Sequence, residues 1–217
     1  MFELCASILA ADFACLERDV RAAEAAGVDA FHIDIMDGHF VPAISFGTGI
    51  VRTMRRLTQK PLDVHLMVNN PLAFVEELAE LKTERVSVHY EIPGGPEKAL
   101  HAIRAAGMKT GLVLNPETPC TAAEPYLTLT DQILLMTVQP GRGGQAYLPG
   151  SNEKIAALQA LLTQESSRAV IQVDGGITPK TLPDAYRAGA RSIVAGSAVF
   201  AGNIPSGVAA LRQCCPL

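Results

Sequence analysis

Eight short runs rich in valine, isoleucine and leucine recur along the chain, and most of the intervals between them read as amphipathic helices. The runs are Leu4–Leu9, Ala30–Ile35, Leu62–Met67, Arg85–His89, Thr110–Leu114, Gln132–Val138, Val170–Val173 and Ser192–Ala195. Their starts advance from residue 4 to residue 192 in seven steps, about 27 residues apart. They lack clean polar alternation, which is the pattern of parallel strands covered on both faces. Helix punctuation falls between them. Asp12-Phe13 opens Cys15–Ala26 and Gly27 closes it. The same closure recurs at Ala105-Ala106-Gly107 and at Arg187-Ala188-Gly189, each followed at once by a strand. A glycine free to adopt positive φ ends a helix cleanly. Pro61, Pro71, Pro96 and Pro179 sit at element edges, where a missing N–H costs little. Eight strand–helix units in 217 residues predict one α/β domain over 1–217, a (β/α)8 TIM barrel. A doubly wound sheet is the alternative, but it needs a glycine-rich turn after the first strand. Leu9-Ala10-Ala11-Asp12 stands there instead.

Composition narrows the partners. Hydrophobic residues make up 48% and charged residues 18%, enough for a large core. Net charge is −4 with no basic stripe, so nucleic acid and anionic membranes are poor partners. Aromatic residues are 5% and tryptophan is absent, which argues against a base-stacking platform. No apolar run approaches the roughly 20 residues that span a bilayer. Glu3 and the lack of a basic segment before Leu4–Ala11 argue against a signal peptide. The five cysteines, Cys5, Cys15, Cys120, Cys214 and Cys215, have no C-x-x-C spacing. They predict neither a disulfide framework nor a zinc knuckle, and a reduced, cytoplasmic protein is expected.

In such a barrel the chemistry lies at the C-terminal strand ends. Ser7 lies in the first run. The second ends in His32-Ile33-Asp34-Ile35-Met36-Asp37-Gly38-His39, the third in Asp63-Val64-His65-Leu66-Met67, and the seventh in Val173-Asp174-Gly175-Gly176. Residues i and i+2 of a strand share a face, so His32 and Asp34 point together. If that face is the barrel interior, His65 and Asp174 can join them. Two imidazoles and two carboxylates suit a borderline divalent metal such as zinc, iron, cobalt or manganese. From spacing alone the four read equally as hydrogen-bonded core and turn residues. Glycine clusters come late: Gly141-Arg142-Gly143-Gly144, Asp174-Gly175-Gly176 and Gly196-Ser197 follow the last three strands. Glycine lets backbone N–H groups approach an anion, and three such loops in succession favour a phosphate site over plain tight turns. Met36, Met67 and Met136, all at strand ends, read as core filling or as a soft wall around a reactive intermediate. His39, His89 and His101 have no spaced partners and read as structural or solvated, and Glu76-Glu77 as a solvated helical face.

At these residues the sequence resembles the ribulose-phosphate 3-epimerase family over nearly the whole chain. The resemblance runs from Ser7-Ile8-Leu9-Ala10-Ala11-Asp12-Phe13 to Gly196-Ser197-Ala198-Val199-Phe200, through His32–Pro42, Asp63–Val68 and Val173–Ile177. It implies a barrel of the ribulose-phosphate-binding type. It further implies one divalent metal on His32, Asp34, His65 and Asp174, with Asp34 and Asp174 as the acid/base pair. Ser7 and His65 would contact the sugar, Met36, Met67 and Met136 would pack around the intermediate, and the three glycine loops would take the phosphate. The implied reaction interconverts D-ribulose 5-phosphate and D-xylulose 5-phosphate in a homo-oligomer of the pentose phosphate pathway.

Some positions depart from the family pattern. Ala43 stands where an asparagine is common, Gln139 lies in the loop where Arg142 replaces a usual phenylalanine, and Ile92-Pro93-Gly94-Gly95 lacks a frequent histidine. These departures make a 3-epimerase of another ketose phosphate, such as a hexulose 6-phosphate, the competing reading. A non-catalytic sugar-phosphate-binding paralogue is the third, disfavoured because all four metal-site residues are present. The related decarboxylase and synthase barrels use Asp-x-Lys-x-x-Asp, whereas Met36 occupies the lysine position of Asp34-Ile35-Met36-Asp37.

Overall fold

A computed structural model describes residues 2–215. In chain order the strands are β1 (Glu3–Ser7), β2 (Ala30–Met36), β3 (Leu62–Met67), β4 (Arg85–His89), β5 (Lys109–Leu114), β6 (Gln132–Met136), β7 (Val170–Asp174) and β8 (Ser192–Ala195). The helices are α1 (Leu16–Ala26), α2 (Thr48–Leu57), α3 (Leu72–Glu80), α4 (Glu97–Ala105), α5 (Ser151–Gln164), α6 (Leu182–Ala188), the short α7 (Ser197–Phe200) and α8 (Ile204–Gln213). Each strand pairs parallel with the next, and β1 closes onto β8 from Glu3↔Ser192 to Ala6↔Ala195. The closed ring is the expected (β/α)8 barrel and excludes a doubly wound sheet, which would leave two open edges. No helix among the described residues is long and apolar enough to cross a membrane.

The lack of polar alternation in the strands has a specific form. All seven residues of β2 are buried, yet their chemistry alternates. Phe31, Ile33 and Ile35 pack outward with Val51 and Met54 of α2 in the main apolar core. His32, Asp34 and Met36 occupy the other face, inside the barrel, and β3 repeats the arrangement with Leu62, Val64 and Leu66 against Asp63, His65 and Met67. Each large outward side chain contributes about 1.5–3 kcal/mol by leaving water. This outer layer supports a polar interior.

Helix ends follow the glycine signals. Gly27 closes α1 at φ 98°, its N–H reaching Ala23 O and Glu24 O, and Gly107 and Gly189 stand at positive φ just past α4 and α6. Several expected bounds shift: β1 begins at Glu3, β2 runs on to Met36, β5 begins at Lys109 and β7 runs on to Asp174. β1 stops at Ser7, because Ile8–Ala10 turn into a 3-10 segment. The helix expected from Cys15 begins at Leu16, after a 3-10 turn over Phe13–Cys15 that Asp12 caps by accepting from Ala14 N. β6 stops at Met136 rather than Val138. Thr137 N still donates to Asp174 O at 2.8 Å, but the Thr137 carbonyl accepts from Leu148 N at 2.9 Å rather than continuing the ladder, and Pro140 follows without an N–H to extend it. The β5–β6 connection, Cys120–Leu129, is 3-10 rather than α-helical and contains Pro125, which cannot donate to an α-helical ladder.

Candidate metal and active site

The i, i+2 spacing of β2 puts His32 and Asp34 on the interior, and the register of β2 with β3 sets Asp34 beside His65. Asp174 reaches the same point from the end of β7. Ligand atoms of His32, Asp34, His65 and Asp174 all lie within 4.8 Å of one another. His65 Nδ1 is 3.0 Å from Asp34 Oδ1. His32 Nε2 is 3.3 Å from Asp34 Oδ1 and 4.0 Å from Asp174 Oδ2. Ser7 donates to the other Asp34 oxygen at 3.0 Å. The four residues that spacing left ambiguous are brought to one place.

A further set of buried groups holds them. His32 Nδ1 donates to Asp63 Oδ2 at 2.9 Å, and Asp63 Oδ1 accepts from Arg85 Nε at 3.0 Å. Gln172 donates to the same Asp63 Oδ2 at 2.7 Å, and Arg85 also reaches Glu3 at 3.0 Å. On the other side, His65 Nε2 lies 2.8 Å from His89 Nε2, and His89 Nδ1 lies 3.1 Å from Glu91 Oε2. Phe40 covers the His89 ring with 4.5 Å between centroids.

The charges follow from this packing. Burial alone would raise Asp34, but the His32 charge and the His65 hydrogen bond hold it well below the usual carboxylate range. Asp174 goes the other way: burial, then the Asp34 charge, push it up to about 6. Burial would lower His32, yet Asp34 and Asp63 together hold it well above the ordinary imidazole value. Burial lowers His89 to about 4, so it is neutral. Glu91 is held below its ordinary value despite burial, by hydrogen bonds from His89, Thr118 and Asn115. One carboxylate firmly charged beside one that readily takes a proton is the division of labour that proton transfer requires.

Above the cluster opens a cavity of about 350 Å³. Ser7, Asp34 and Asp174 line its floor, with Met36, Met67 and Met136 beside them. The methionines are nearly fully buried. Gly141, Arg142, Gly143 and Gly144 line it from the β6 loop, Gly175 and Gly176 from the β7 loop, and Gly196 and Ser197 from the β8 loop. Two of these positions require glycine. Gly176 stands at φ 64°, and a Cβ there would lie 2.3 Å from Tyr147 N. Gly175 stands at φ 119°, and a Cβ would meet Val138 Cγ2 at 2.4 Å. Close backbone approach of this kind is how loops present N–H groups to anions.

The donor set fits a divalent metal. His32 Nε2 is buried, points into the cluster and has no hydrogen-bond partner among the described residues, while its other nitrogen is fixed by Asp63. An imidazole held by one carboxylate, with its second nitrogen aimed at two more, is placed to ligate a metal ion that would take the position of its proton. Two nitrogen and two carboxylate donors suit zinc, iron, cobalt or manganese.

Three functional neighbours escaped the sequence reading. His89, expected to lack partners, is buried between His65 and Glu91; His39 and His101 are exposed as expected. Asp63 and Glu91 carried no assigned role. The available signal was the alternation Ser87, His89, Glu91 along and beyond β4, which repeats that of Asp63, His65, Met67 along β3.

Comparison with known proteins agrees with this geometry. A family model described as the ribulose-phosphate 3 epimerase family matches residues 3–200. A ribulose-phosphate 3-epimerase of Synechocystis is 44% identical over 210 residues, covering 95% of this chain and 91% of the relative. One from Methanocaldococcus jannaschii is 42% identical, covering 98% and 91%. The chloroplastic enzyme of Arabidopsis thaliana is 42% identical, covering 89% and 70%. Among solved structures, a 3-hexulose-6-phosphate synthase superposes over all of both chains with TM-score 0.68 at 17% identity. A tryptophan synthase alpha-subunit from Pyrococcus furiosus reaches TM-score 0.73 at 17% identity, covering 98% of this chain and 100% of its own. These two likenesses establish the barrel alone.

Proposed function

Because the chain belongs to the ribulose-phosphate 3-epimerase family, we propose that its cavity interconverts D-ribulose 5-phosphate and D-xylulose 5-phosphate through Asp34 and Asp174. Inverting a carbon next to a ketone removes a weakly acidic proton and returns one on the opposite face. One base cannot reach both faces, so two carboxyl groups alternate between acid and base. Asp34 comes from β2 and Asp174 from β7, with β1 and β8 between them around the barrel. Two carboxylates brought from these separate strands to the floor of one cavity are the observation that carries the reading. With one epimer Asp34 takes the C3 proton and Asp174 donates to the opposite face; with the other epimer Asp174 is the base and Asp34 the acid, since each turnover leaves their protonation states exchanged.

His32, Asp34, His65 and Asp174 would hold one divalent cation, zinc, iron, cobalt or manganese. When bound it supplies Lewis-acid stabilisation of the negative charge that proton removal creates. Ser7 orients Asp34 and, with His65, contacts the sugar. Met36, Met67 and Met136 exclude water from the enediolate with a polarisable, apolar surface. Backbone N–H groups of Gly143, Gly144, Gly175, Gly176, Gly196 and Ser197 take the phosphate, with the Gly141 turn and Arg142 at the rim. The pentose-phosphate names of relatives at 42–44% identity support this substrate over a hexulose 6-phosphate. All five thiols are free, in keeping with the cytoplasm. A homo-oligomer is the assembly we assign; the exposed apolar side chains Phe13, Ile44 and Leu72 offer contact surface for it.

The test is epimerisation of D-ribulose 5-phosphate before and after chelation, with divalent metals added back. Turnover that stops on chelation and returns with metal is expected. Turnover indifferent to thorough metal removal would keep the reaction and remove the cation from it. Lack of turnover with metal verified in place would overturn the substrate.

A further inference from the structure

We propose that Ser45 is a positioning residue for the proton transfer: its hydroxyl completes the β2 backbone where β1 gives out, and so holds Asp34 and Met36 in place at the cavity. This role rests on Asp34 being an acid/base group, as read above.

The need arises from unequal strand lengths. β1 ends at Ser7, which pairs with His32, because Ile8–Ala10 turn into a 3-10 segment. On the opposite side the β2–β3 register continues through Asp34↔His65 to Met36↔Met67. The last stretch of β2, which carries Asp34 and Met36, therefore has a strand neighbour on one side only. A strand end without its second neighbour can splay, and a reacting group misplaced by about 1 Å can lose about a hundredfold in rate.

Ser45 supplies the missing edge. Its Oγ donates to Asp34 O at 2.5 Å and accepts from Met36 N at 3.0 Å. Its own N–H donates to Met36 O at 3.3 Å. A carbonyl can only accept and an amide N–H can only donate, so the direction of both hydroxyl bonds is fixed whatever the protonation of the site. The chain after β2 folds back to deliver this side chain. Asp37 bridges Ile44 in antiparallel fashion, and Gly38 N donates to Ala43 O at 3.1 Å.

Asp34 is thus held at two points, its carboxylate by Ser7 at 3.0 Å and its carbonyl by Ser45. Met36 packs with Val41 and Met67 and lines the cavity beside Asp34. One hydroxyl therefore sets both the carboxylate and the wall next to it. Ser45→Ala keeps the bond from the residue's own N–H and removes both hydroxyl bonds, which leaves Asp34 O and Met36 N without their side-chain partner.

The test combines steady-state epimerisation of D-ribulose 5-phosphate, with divalent metal present, and amide hydrogen exchange read by NMR on the full chain. Ser45→Ala is expected to lower kcat about 10–100-fold while KM stays within about threefold, because the substrate is bound by other residues. Ser45→Thr keeps the hydroxyl and is expected to retain kcat within about threefold. In the parent the Met36 amide should exchange slowly, as should that of Phe31, which donates to Pro61 O near the start of β2. In Ser45→Ala the Met36 amide should exchange about tenfold faster or more, with Phe31 unchanged. A general loss of stability would move both amides together. The proposal is overturned by a Ser45→Ala protein with kcat within about twofold of the parent, by Ser45→Thr no faster than Ser45→Ala, or by unchanged Met36 exchange. If Ser45→Ala does not fold, a parent Met36 amide that exchanges like an unstructured one overturns it. A parent that does not turn over D-ribulose 5-phosphate would defeat the substrate reading instead, while Met36 exchange would still decide whether Ser45 holds the end of β2.

Discussion

His32 donates from Nδ1 to Asp63 Oδ2 across 2.9 Å, and Asp63 is itself anchored by Arg85 Nε at 3.0 Å. A buried ion pair beneath the site thereby aims an imidazole into it. Removing one member of such a pair strands the other charge, a loss of about 3–5 kcal/mol. Arg85→Met is expected to lower stability by that amount at pH 7, read from urea unfolding. The pH dependence follows from Asp63, whose carboxyl burial would raise but Arg85 and His32 depress. Its stabilisation is complete above the ordinary aspartate value of about 3.9 and fades as pH falls through the lower folded value. The parent protein should lose stability steeply below about pH 4, and Arg85→Met less steeply. Parallel acid limbs in the two proteins would contradict this role for Asp63.

Asp34 and Asp174 can be separated by isotope exchange. Asp34→Asn and Asp174→Asn are each expected to slow epimerisation by about a thousandfold or more while the barrel still unfolds cooperatively by circular dichroism. Each variant keeps one base. It should therefore exchange the C3 proton of one epimer with solvent deuterium far faster than that of the other, with opposite preference in the two variants. The same preference in both would place the two carboxylates on one face of the sugar.

The glycines of the cavity differ in what they tolerate. Gly176→Ala places a Cβ against backbone at φ 64°. The left-handed conformation alone costs about 1–2 kcal/mol, and the contact with Tyr147 N adds to it, so thermal unfolding should shift down clearly. Gly143 is the control, since a Cβ there would have Leu9 Cδ2 as its nearest neighbour, at an ordinary contact distance of 3.7 Å. Gly143→Ala should leave stability within about 0.5 kcal/mol.

Arg142 is exposed at the cavity rim. If its guanidinium meets the substrate phosphate, Arg142→Ala raises KM severalfold with kcat nearly constant, and the effect shrinks at high salt. A change confined to kcat would move Arg142 from binding to the chemical step.

The barrel was legible in the chain because its causes are local. Apolar runs at regular intervals, glycine after α1, α4 and α6, and proline at element edges act over a few residues, and they placed β3, β4 and β8 to the residue. The i, i+2 rule likewise put His32 beside Asp34. Tertiary structure decided what depends on register between strands. Asp63 meets Gln172 across 109 residues of sequence, and His65 meets His89 across 24. Only closure of β1 onto β8 brings Asp174 to Asp34. β6 ended two residues early for a similar reason, since the Thr137 carbonyl accepts from Leu148 N, eleven residues on, instead of from β7. A pattern along one strand fixes which face a side chain takes. Which group waits on that face is set by shear and stagger around the ring, and these exist only once it has closed.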